Sequence, residues 1–494
     1  MARSRKDVGV DEGVALLVVG AVLGASVLLA LGTARTGVPV LVAFLALGML
    51  LGSEGPGGIE FNDAELARQV GIVGLVLILF EGGLQTSWRR LRSVAAPAAL
   101  LSTVGVLVTA LLTGVAARML FDLTWLEATL LGAVVASTDA AAVFATLRFT
   151  HIRRRVARTL EAESGGNDPM AIALTLGLIA WIENPDTHGL QELVVLVVRQ
   201  LGLGLVVGVA LAVAATWLFA RLPASVGPFA PVASLAAAAF SFGAADVIGG
   251  SGFLAVYLVG LAIGSTPSRY RRQLVGFHEG IAFLAQVTLF IVLGLLVFPR
   301  ELTDVAGSGL ALALLLVFVV RPVAVWVSTA LNDFSGRERL LLGWAGLRGA
   351  VPIVLATFVL SSHVDSANTI FNAVFFVVVV SVILQGTTLE RVAGRLGLLS
   401  PTRPSHEPPI EVGESSPLDL LDFVVAPDHA IAGAAVREVG LPRTAIIAVV
   451  VRGDSSIPPR GSTIIEPGDR LFVLVPHSVR PAVEDVFSRW RRRV

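Results

Sequence analysis

Residues 161–182 read EAESGGNDPMAIALTLGLIAWI, a stretch that sets acidic and amide side chains against a long apolar run. Glu163, Asn167 and Asp168 stand at or near the start of that run. A carboxylate near the centre of a bilayer costs roughly 2.5–3.5 kcal/mol on insertion scales, so such residues are rare and mark functional sites. The stretch therefore predicts a membrane span that carries a functional polar site.

The composition of the whole chain indicates the same environment. Of its 494 residues, 55% are hydrophobic and 15% are charged, whereas a soluble protein carries about 25% charged residues. Apolar runs of roughly 18 or more residues recur up to residue 388, which is typical of transmembrane helices. The sequence therefore predicts a polytopic α-helical membrane protein. It has no cysteine, which excludes disulfides and thiolate metal sites, and its net charge of zero gives no indication of nucleic-acid binding.

The apolar segments predict about thirteen transmembrane helices. They lie near residues 13–31, 38–53, 68–86, 96–117, 125–146, 160–181, 195–220, 227–247, 252–265, 277–298, 306–331, 339–361 and 369–388. The fifth and twelfth spans are seven apart, as equivalent helices are if spans 1–6 and 8–13 form two inverted repeats. Both contain residues that predict an interrupted helix, which is the sequence pattern of a transporter's midplane site.

The arginines indicate the direction of each span. Most fall in the loops of one side, here called the arginine-rich side: Arg35, Arg89, Arg90, Arg92, Arg148, Arg153, Arg154, Arg155, Arg158, Arg221, Arg269, Arg271, Arg272, Arg337, Arg339, Arg391 and Arg395. The other side holds mainly Arg68, Arg118, Arg199 and Arg300. The positive-inside rule places the arginine-rich side in the cytoplasm. We therefore expect a multi-pass protein of the cell (inner or plasma) membrane, with an external N-terminus and a cytoplasmic C-terminus.

The composition changes after the last span. A transmembrane domain is predicted at 1–398, a proline-rich polar linker at 399–414 and a soluble α+β domain at 415–494. In that domain LDLLDFVVAP, TAIIAVVVRG, GSTIIEPG and DRLFVLVP predict strands, and AIAGAAVREVGLP and VRPAVEDVFSRWRRR predict two helices. No GxGxxG follows any of these strands. The domain is therefore expected to be regulatory or dimerising rather than catalytic.

The sixth span contains two pairs of polar residues at helical spacing. Glu163 with Asn167, and Ser164 with Asp168, are i, i+4 pairs, and each pair shares one helix face. Lys6 is the only lysine, so Asp168 has no lysine partner within the spans. A lone carboxylate of this kind favours a function in ion or proton binding.

Polar residues in three other spans extend the candidate site. The fifth span holds Thr138 and Asp139 in VVASTDAAAVFA, the eleventh holds Arg321 before a proline, and the twelfth holds Arg348 in GWAGLRGAVPIVLAT. The hydroxyls of the fifth span could instead bond their own helix backbone. Arg321 and Glu163 could form an ion pair that is either purely structural or part of a gate. Glycine and proline at these positions predict interrupted helices, which are tolerated where they line a cavity or pack within protein.

These residues resemble a known family. The run from STDAAAVFATLR through LEAESGGNDPMAIALT and WAGLRGAVPIVLA resembles the bacterial NhaP-type monovalent cation/proton antiporters, and FEGGLQT, GGSGFLAVYLVGLAIG, FHEGIAFLAQVTLFIVLGLL and FNAVFFVVVVSVILQGTT fit the same pattern. The resemblance covers residues 10–398. The tail is similar to TrkA-C domains, the C-terminal lobe of RCK gating modules. The combination implies a potassium/proton antiporter that is a homodimer in the membrane lipid.

The resemblance also implies a set of ion-binding residues. Asp168 matches the carboxylate that binds the cation and the proton. Ser164, Glu163 and the interrupted helix at Thr138 complete the cation site, with Asp139 nearby. Asp168, Ser164 and Thr138 would then be the direct ligands of a monovalent cation, and oxygen ligands suit hard cations such as K⁺ or Na⁺.

Three further positions follow from the same resemblance. Asn167 stands where electrogenic relatives carry a second aspartate, which implies an electroneutral exchange of one cation for one proton. Arg321 corresponds to the arginine that pairs with Glu163, and Arg348 to the arginine of the second interrupted helix. Many relatives have proline where this chain has Ala140, so a less sharp break is expected at that point of the fifth span.

Several alternatives remain at this stage. An RCK-type ligand-gated cation channel is one, although no TVGYG filter is present. An antiporter that prefers Na⁺ and a transport-inactive sensor are others. An enzyme is disfavoured because His151, His278 and His363 have no metal-binding spacing. No cofactor is expected; the C-terminal domain could bind a nucleotide, a cation or its own copy.

Overall fold

The computed structural model describes residues 12–36, 39–139, 142–143, 151–223, 229–266, 268, 270–400, 418–453 and 455–490. The chain forms two compact units, Met1–Thr402 and Arg403–Val494. The first unit is helical, and one large apolar cluster forms its core. The second has a small core of its own.

The helices of the first unit follow the predicted spans. They are α1 (Glu12–Thr36), α2 (Val40–Leu51), α3 (Ala64–Gln85), α4 (Trp88–Leu120), α5 (Trp125–Val134), α6 (Arg154–Glu183), α7 (Leu190–Arg221), α8 (Ala230–Val247), α9 (Gly252–Ser265), α10 (Arg271–Leu296), α11 (Pro299–Ser328), α12 (Gly336–Trp344), α13 (Ala350–Leu360) and α14 (Ala367–Arg395). Eight of the described helices are long and apolar enough to cross a membrane, and α2, α5, α9 and α13 are shorter apolar helices. The predicted polytopic helical architecture is confirmed, with α12 and α13 together forming the twelfth span.

Hydrogen bonds join helix ends on each of the two sides of the membrane unit. On the arginine-poor side, the backbone N–H of Arg300 donates to the carboxylate of Glu54 over 3.0 Å. On the arginine-rich side, the backbone N–H of Trp88 donates to the hydroxyl of Ser265 over 2.8 Å. Helix ends that the predicted topology assigns to one side are therefore in contact.

Two spans are interrupted. In the described part of the fifth span, α5 ends at Val134, residues 135–139 are not helical, and residues 142–143 are helical again. The twelfth is interrupted at 345–349, between α12 and α13. The expectation of a less sharp break at Ala140 concerns a residue outside the described part of the chain; the described helix α5 ends before it, at Val134.

A two-stranded ladder lies next to the first turn of α6. Strand β1 (His151–Ile152) pairs antiparallel with β2 (Leu399–Ser400). The backbone N–H of Arg153 also donates to the carbonyl of Leu398 over 2.9 Å. The first two residues of the predicted linker thus form a strand beside the helix that carries Asp168, while residues 401–417 lie outside the described part of the chain.

The second unit is a four-stranded antiparallel sheet with one helix. Its strands are β3 (Leu418–Val424), β4 (Ile446–Arg452), β5 (Ser455–Ile457) and β6 (Arg470–Pro476), in the order β3-β6-β4-β5. The helix α15 (Arg480–Trp490) buries the rings of Phe487 and Trp490 against Phe423. The predicted α+β class is confirmed.

Two local predictions for this unit were wrong. The segment 430–442 was expected to be helical, but it contains only a 3₁₀ turn at Val436–Glu438. Its alanines favour a helix, yet Gly433 and Gly440 adopt φ of 90° and 71°, a left-handed conformation that ends a helix. The strand expected at 461–468 is instead a turn with one isolated bridge to that segment.

A buried carboxylate makes the stability of this unit depend on pH. Arg452 donates to both oxygens of Asp469, from Nε and Nη2, over 2.8 Å each. Burial acts to raise the pKa of Asp469, but the hydrogen bonds from Arg452 and from the backbone N–H of Glu466 outweigh it and hold that pKa below its usual range. Because the folded pKa is the lower one, the stabilisation is complete above about pH 4 and is lost as the pH falls through the folded value.

We expect Arg452→Met to lower the melting temperature of the C-terminal unit at pH 7, because it leaves Asp469 buried without its main partner. The difference from wild type should shrink as the pH falls from about 4 through the lowered pKa of Asp469, below which the wild-type carboxylate is also protonated. Thermal unfolding of the full-length protein across this pH range measures both effects. Arg437→Met, at an exposed arginine of the same unit, is the control. Equal melting temperatures at pH 7 for wild type and Arg452→Met would contradict the prediction.

Candidate ion-binding site

A cavity of about 560 Å³ extends from the arginine-rich side to the two helix breaks. Arg90 and Arg271 line it near the arginine-rich ends of their helices, and Ser137, Ser164 and Asp168 line it at the breaks. Its walls include the first half of α6 and the first turn of α13. Asp168 is therefore reached from the arginine-rich side.

Asp168 lies on a continuous helix and is held by a hydroxyl from the broken fifth span. Its side chain is 5% exposed, and the Ser137 hydroxyl donates to its Oδ1 over 2.7 Å. The alternative that Ser137 bonds its own helix is wrong, because α5 has ended at Val134 and the hydroxyl crosses to α6. Our set of site residues omitted Ser137; its position beside Thr138 was the signal that could have included it.

Thr138 is tied to α6 through both of its oxygens. Its carbonyl accepts from the Ser164 hydroxyl over 2.9 Å, and its own hydroxyl accepts from Nδ2 of Asn167 over 2.6 Å. The other amide atom, Oδ1 of Asn167, is buried and has no hydrogen-bond partner among the described residues. Burying an acceptor without a partner costs free energy unless a water molecule or a cation binds to it. The arrangement thus gathers carboxylate, hydroxyl, carbonyl and amide oxygens, which fit a hard monovalent cation.

Glu163 forms a buried ion pair beside this group. Its Oε1 lies 2.6 Å from Nη1 of Arg321, and its Oε2 accepts from Nη2 over 2.9 Å. The two side chains are 1% and 3% exposed. Arg321 also approaches the carbonyl of Leu342 at 3.4 Å. The ion pair between Glu163 and Arg321 that the resemblance implied is therefore present. Ser164, Thr138 and Asp139, by contrast, line the cavity together with Asp168.

Arg348 neutralises the end of the broken fifth span. Its Nη1 donates to the carbonyls of Ala136 and Ser137 over 2.9 and 2.6 Å. Carbonyls at and beyond a helix C-terminus lack intrahelical partners and carry partial negative charge. The side chain is buried, so the guanidinium interacts with these carbonyls away from water.

Asp139 lies at the opposite kind of helix end. Its backbone N–H donates to the carbonyl of Leu347 over 2.8 Å, and its Oδ1 accepts from the N–H of Ala142 over 3.0 Å. Its carboxylate also packs against Gly349, directly before the N-terminus of α13. A helix N-terminus favours a nearby negative charge. At the two breaks, the guanidinium of Arg348 thus lies beyond the C-terminal end of α5. The carboxylate of Asp139 lies beside the N-terminal end of α13.

Three carboxylates line the outer part of the cavity, and none of them was among the predicted site residues. The amide of Gln85 donates to Glu81 and, over 3.2 Å, to Glu279; Glu161 lines the same cavity. Glu81 and Glu279 stand near the arginine-rich ends of their spans, and that placement was the available signal. Carboxylates clustered in a cleft raise the local concentration of cations.

The close contact at Gly349 gives a testable prediction. A Cβ added there would overlap the carboxylate of Asp139, so Gly349→Ala must displace either that carboxylate or the break. We expect a loss of stability of about 1–3 kcal/mol, the usual cost of overpacking, seen as a lower melting temperature of the purified protein. Gly276→Ala on α10, where an added Cβ meets open space, is the matched control. An unchanged melting temperature for Gly349→Ala would contradict the tight crossing.

The chain matches two protein-family models and is similar in sequence to known antiporters. A family model described as "Sodium/hydrogen exchanger, transmembrane" matches residues 12–394, and one described as "TrkA-C domain" matches residues 420–488. The K(+)/H(+) antiporter NhaP2 of Shewanella baltica (strain OS223) is 38% identical over 476 residues, which cover 95% of this chain and 82% of that protein. The K(+)/H(+) antiporter NhaP of Alkalimonas amylolytica is 36% identical over 478 residues, covering 96% and 83%.

A solved structure is similar in the membrane unit. The sodium proton antiporter MjNhaP1 from Methanocaldococcus jannaschii at pH 8 has a TM-score of 0.70 and 25% sequence identity. The match covers 78% of this chain and 98% of that chain. The similarity to antiporters therefore holds at the level of both sequence and fold.

Proposed function

Because the chain belongs to the sodium/hydrogen exchanger family, we propose that it exchanges K⁺ for H⁺ across a membrane, with Asp168 as the group at which the two ions compete. The observation that carries this proposal is the position of Asp168, buried at the inner end of a cavity and bonded by Ser137 of an interrupted helix. Relatives named K(+)/H(+) antiporters support the choice of K⁺. The exchange is secondary active transport and not an enzymatic reaction.

The mechanism follows from the surroundings of one carboxylate. A buried carboxylate keeps its charge only beside a compensating positive charge, so either a cation or a proton must accompany Asp168. Ser164 and the backbone of Thr138 supply neutral oxygens for the cation, and the free oxygen of Asn167 lies on the same helix. The outer carboxylates Glu81 and Glu279 attract cations into the cavity. Rocking of one helical bundle against the other then exposes the site to the opposite side.

The proposed stoichiometry is one K⁺ for one H⁺. Asn167 is neutral and bonds Thr138, so it positions α6 against the break without adding a second titrating charge. Arg321 keeps Glu163 paired, which leaves Asp168 as the carboxylate that changes its partner during the cycle. Such an exchange moves no net charge and is insensitive to the membrane potential.

Orientation, assembly and regulation complete the proposal. The arginine-rich side faces the cytoplasm, so the cavity represents an inward-open state in the inner or plasma membrane, and the protein is a homodimer in lipid.

The C-terminal domain (415–494, after a linker at 399–414) regulates exchange. The ladder of β1 with β2 supplies a mechanical route, because β2 begins the connection to that domain and β1 leads into α6. A chain truncated after residue 417 should therefore show an altered pH profile of exchange; an identical profile would contradict the regulatory role.

Reconstitution in liposomes tests the transport function directly. An internal pH dye reports proton movement when a K⁺ gradient is imposed, and the same measurement is repeated with Na⁺. We expect internal alkalinisation or acidification according to the direction of the K⁺ gradient. The rate should be unchanged when the membrane potential is clamped at zero.

The other outcomes distinguish the alternatives. A response to Na⁺ that exceeds the response to K⁺ would replace K⁺ by Na⁺ as the substrate. Cation flux without proton movement would reject exchange and favour a channel. A rate that follows the clamped membrane potential would reject the electroneutral stoichiometry.

A further inference from the structure

One face of α14 carries three polar side chains that the site above does not use. Ser381, Gln385 and Thr388 stand at i, i+4 and i+7 and so share one helix face. Ser381 and Gln385 are each 1% exposed. Polar groups within a membrane unit are costly unless each has a partner. All three bond the twelfth span at or beside its break.

The break of the twelfth span depends on this face. A helix end leaves its last four carbonyls without intrahelical partners. At the end of α12 each of these four carbonyls accepts a hydrogen bond. The backbone N–H groups of Ala345 and Gly346 donate to the carbonyls of Leu341 and Gly343. Arg321 donates to the carbonyl of Leu342, and Nε2 of Gln385 donates to the carbonyl of Trp344. The Gln385 bond measures 2.9 Å, and the indole of Trp344 donates to Thr388 over 3.0 Å. Gln385 therefore completes the cap that allows the helix to end inside the membrane unit.

A continuous chain of hydrogen bonds leads from this cap to the carboxylate. The Ser381 hydroxyl donates to Oε1 of Gln385 over 2.5 Å and accepts from the backbone N–H of Arg348 over 3.2 Å. The guanidinium of Arg348 donates to the carbonyl of Ser137 over 2.6 Å. The hydroxyl of Ser137 in turn donates to Asp168 over 2.7 Å. Ser137 is thus held through its carbonyl by Arg348 of the twelfth-span break and through its hydroxyl by Asp168 of α6.

We propose that Ser381 and Gln385 are positioning residues for the exchange: they hold the break of the twelfth span and thereby aim Arg348 at the carbonyl of Ser137, which orients the hydroxyl that bonds Asp168. The inference rests on the proposed function and deepens it, since it adds residues of α14 to a site built from α6 and the two breaks at 135–139 and 345–349. Neither side chain lines the cavity; both act through Arg348.

The competing interpretation is that the two side chains only stabilise the fold. Loss of a structural bond lowers the melting temperature and leaves the ion affinity of the folded molecules unchanged. Loss of a positioning bond also changes the KM for K⁺ and the pH profile of exchange, because the geometry around Asp168 changes in molecules that are fully folded. The experiment must therefore measure the melting temperature as well as the KM for K⁺ and the pH profile of exchange.

The experiment compares Ser381→Ala and Gln385→Ala with wild type in the full-length protein. Reconstituted exchange gives the KM for K⁺, the maximal rate and the pH profile. Amide hydrogen exchange over residues 345–349 and 135–139 reports the two breaks without any need for transport. Thr387→Ala is the matched control, because Thr387 is exposed on the same helix and bonds its own backbone. Ser381→Thr keeps the hydroxyl and tests rescue.

We expect both alanine variants to raise the KM for K⁺ about 3- to 10-fold, the effect of one net hydrogen bond, to shift the pH profile and to speed amide exchange at both breaks. Thr387→Ala and Ser381→Thr should remain within about twofold of wild type. A lower melting temperature with unchanged KM and pH profile would overturn the positioning role. So would unchanged amide exchange over 135–139, a result that counts even if wild type fails to exchange K⁺ and the proposed function itself is rejected.

Discussion

We expect Asp168→Asn to abolish exchange in reconstituted liposomes. Asparagine has nearly the shape of aspartate and its Oδ1 still accepts from Ser137, so the interrupted helices remain in place. It neither releases a proton nor compensates a cation, and the step in which the two ions replace each other is lost. We expect the rate to fall at least about 100-fold, which is the low end of what a positioned proton-transfer group contributes. The internal pH dye measures the loss, and the melting temperature confirms that the variant is folded.

Two controls separate this effect from a loss of charge in general. Asp186→Asn changes an exposed carboxylate in the loop that follows α6 and should leave the rate unchanged. Asp168→Glu keeps a carboxylate in the cavity and should retain measurable exchange with an altered KM for K⁺. Full K⁺/H⁺ exchange by folded Asp168→Asn would show that another group carries the proton, and Glu161 or Glu279 in the same cavity would be the next to test.

The sequence predicts the membrane unit well for a physical reason. A bilayer requires long apolar helices, so the spans follow from composition alone. It also penalises polar groups, so Glu163, Asn167 and Asp168 had to find partners. From the resemblance, Arg321 was named as the partner of Glu163 and Thr138 as part of the cation site, and the structure brings both residues to α6.

The remaining features depend on contacts that no local pattern records. The end of α5 at Val134 follows from no local pattern in the sequence, and residues 136–138 beyond it bond partners on α6 and Arg348. The residues Ser381 and Gln385 look like ordinary polar positions of an apolar span until the end of α12 is placed beside them. In the C-terminal unit, the alanines of 430–442 favour a helix, and the left-handed glycines override that propensity.

The buried pair of Glu163 and Arg321 gives the second large effect. Removing one partner leaves the other charge buried without compensation, which costs about 3–5 kcal/mol. We therefore expect Arg321→Met and Glu163→Met each to lower the melting temperature and the yield of folded protein sharply. Arg300→Met, which breaks the exposed pair with Glu54, should change stability by only about 0–1 kcal/mol and is the control.

The double variant decides what the pair does. Replacing both partners by methionine removes both buried charges, and apolar replacements of a buried pair are often neutral. We expect Glu163→Met/Arg321→Met to recover most of the melting temperature that each single variant loses. Because Glu163 bonds Arg321 while Asp168 bonds Ser137, we expect the folded double variant to carry out exchange. That result would be the behaviour of a structural pair whose mutual attraction offsets its burial. A folded double variant that carries out no exchange would contradict this expectation and show that the pair moves during the transport cycle, as a gate between α6 and the end of α12 would.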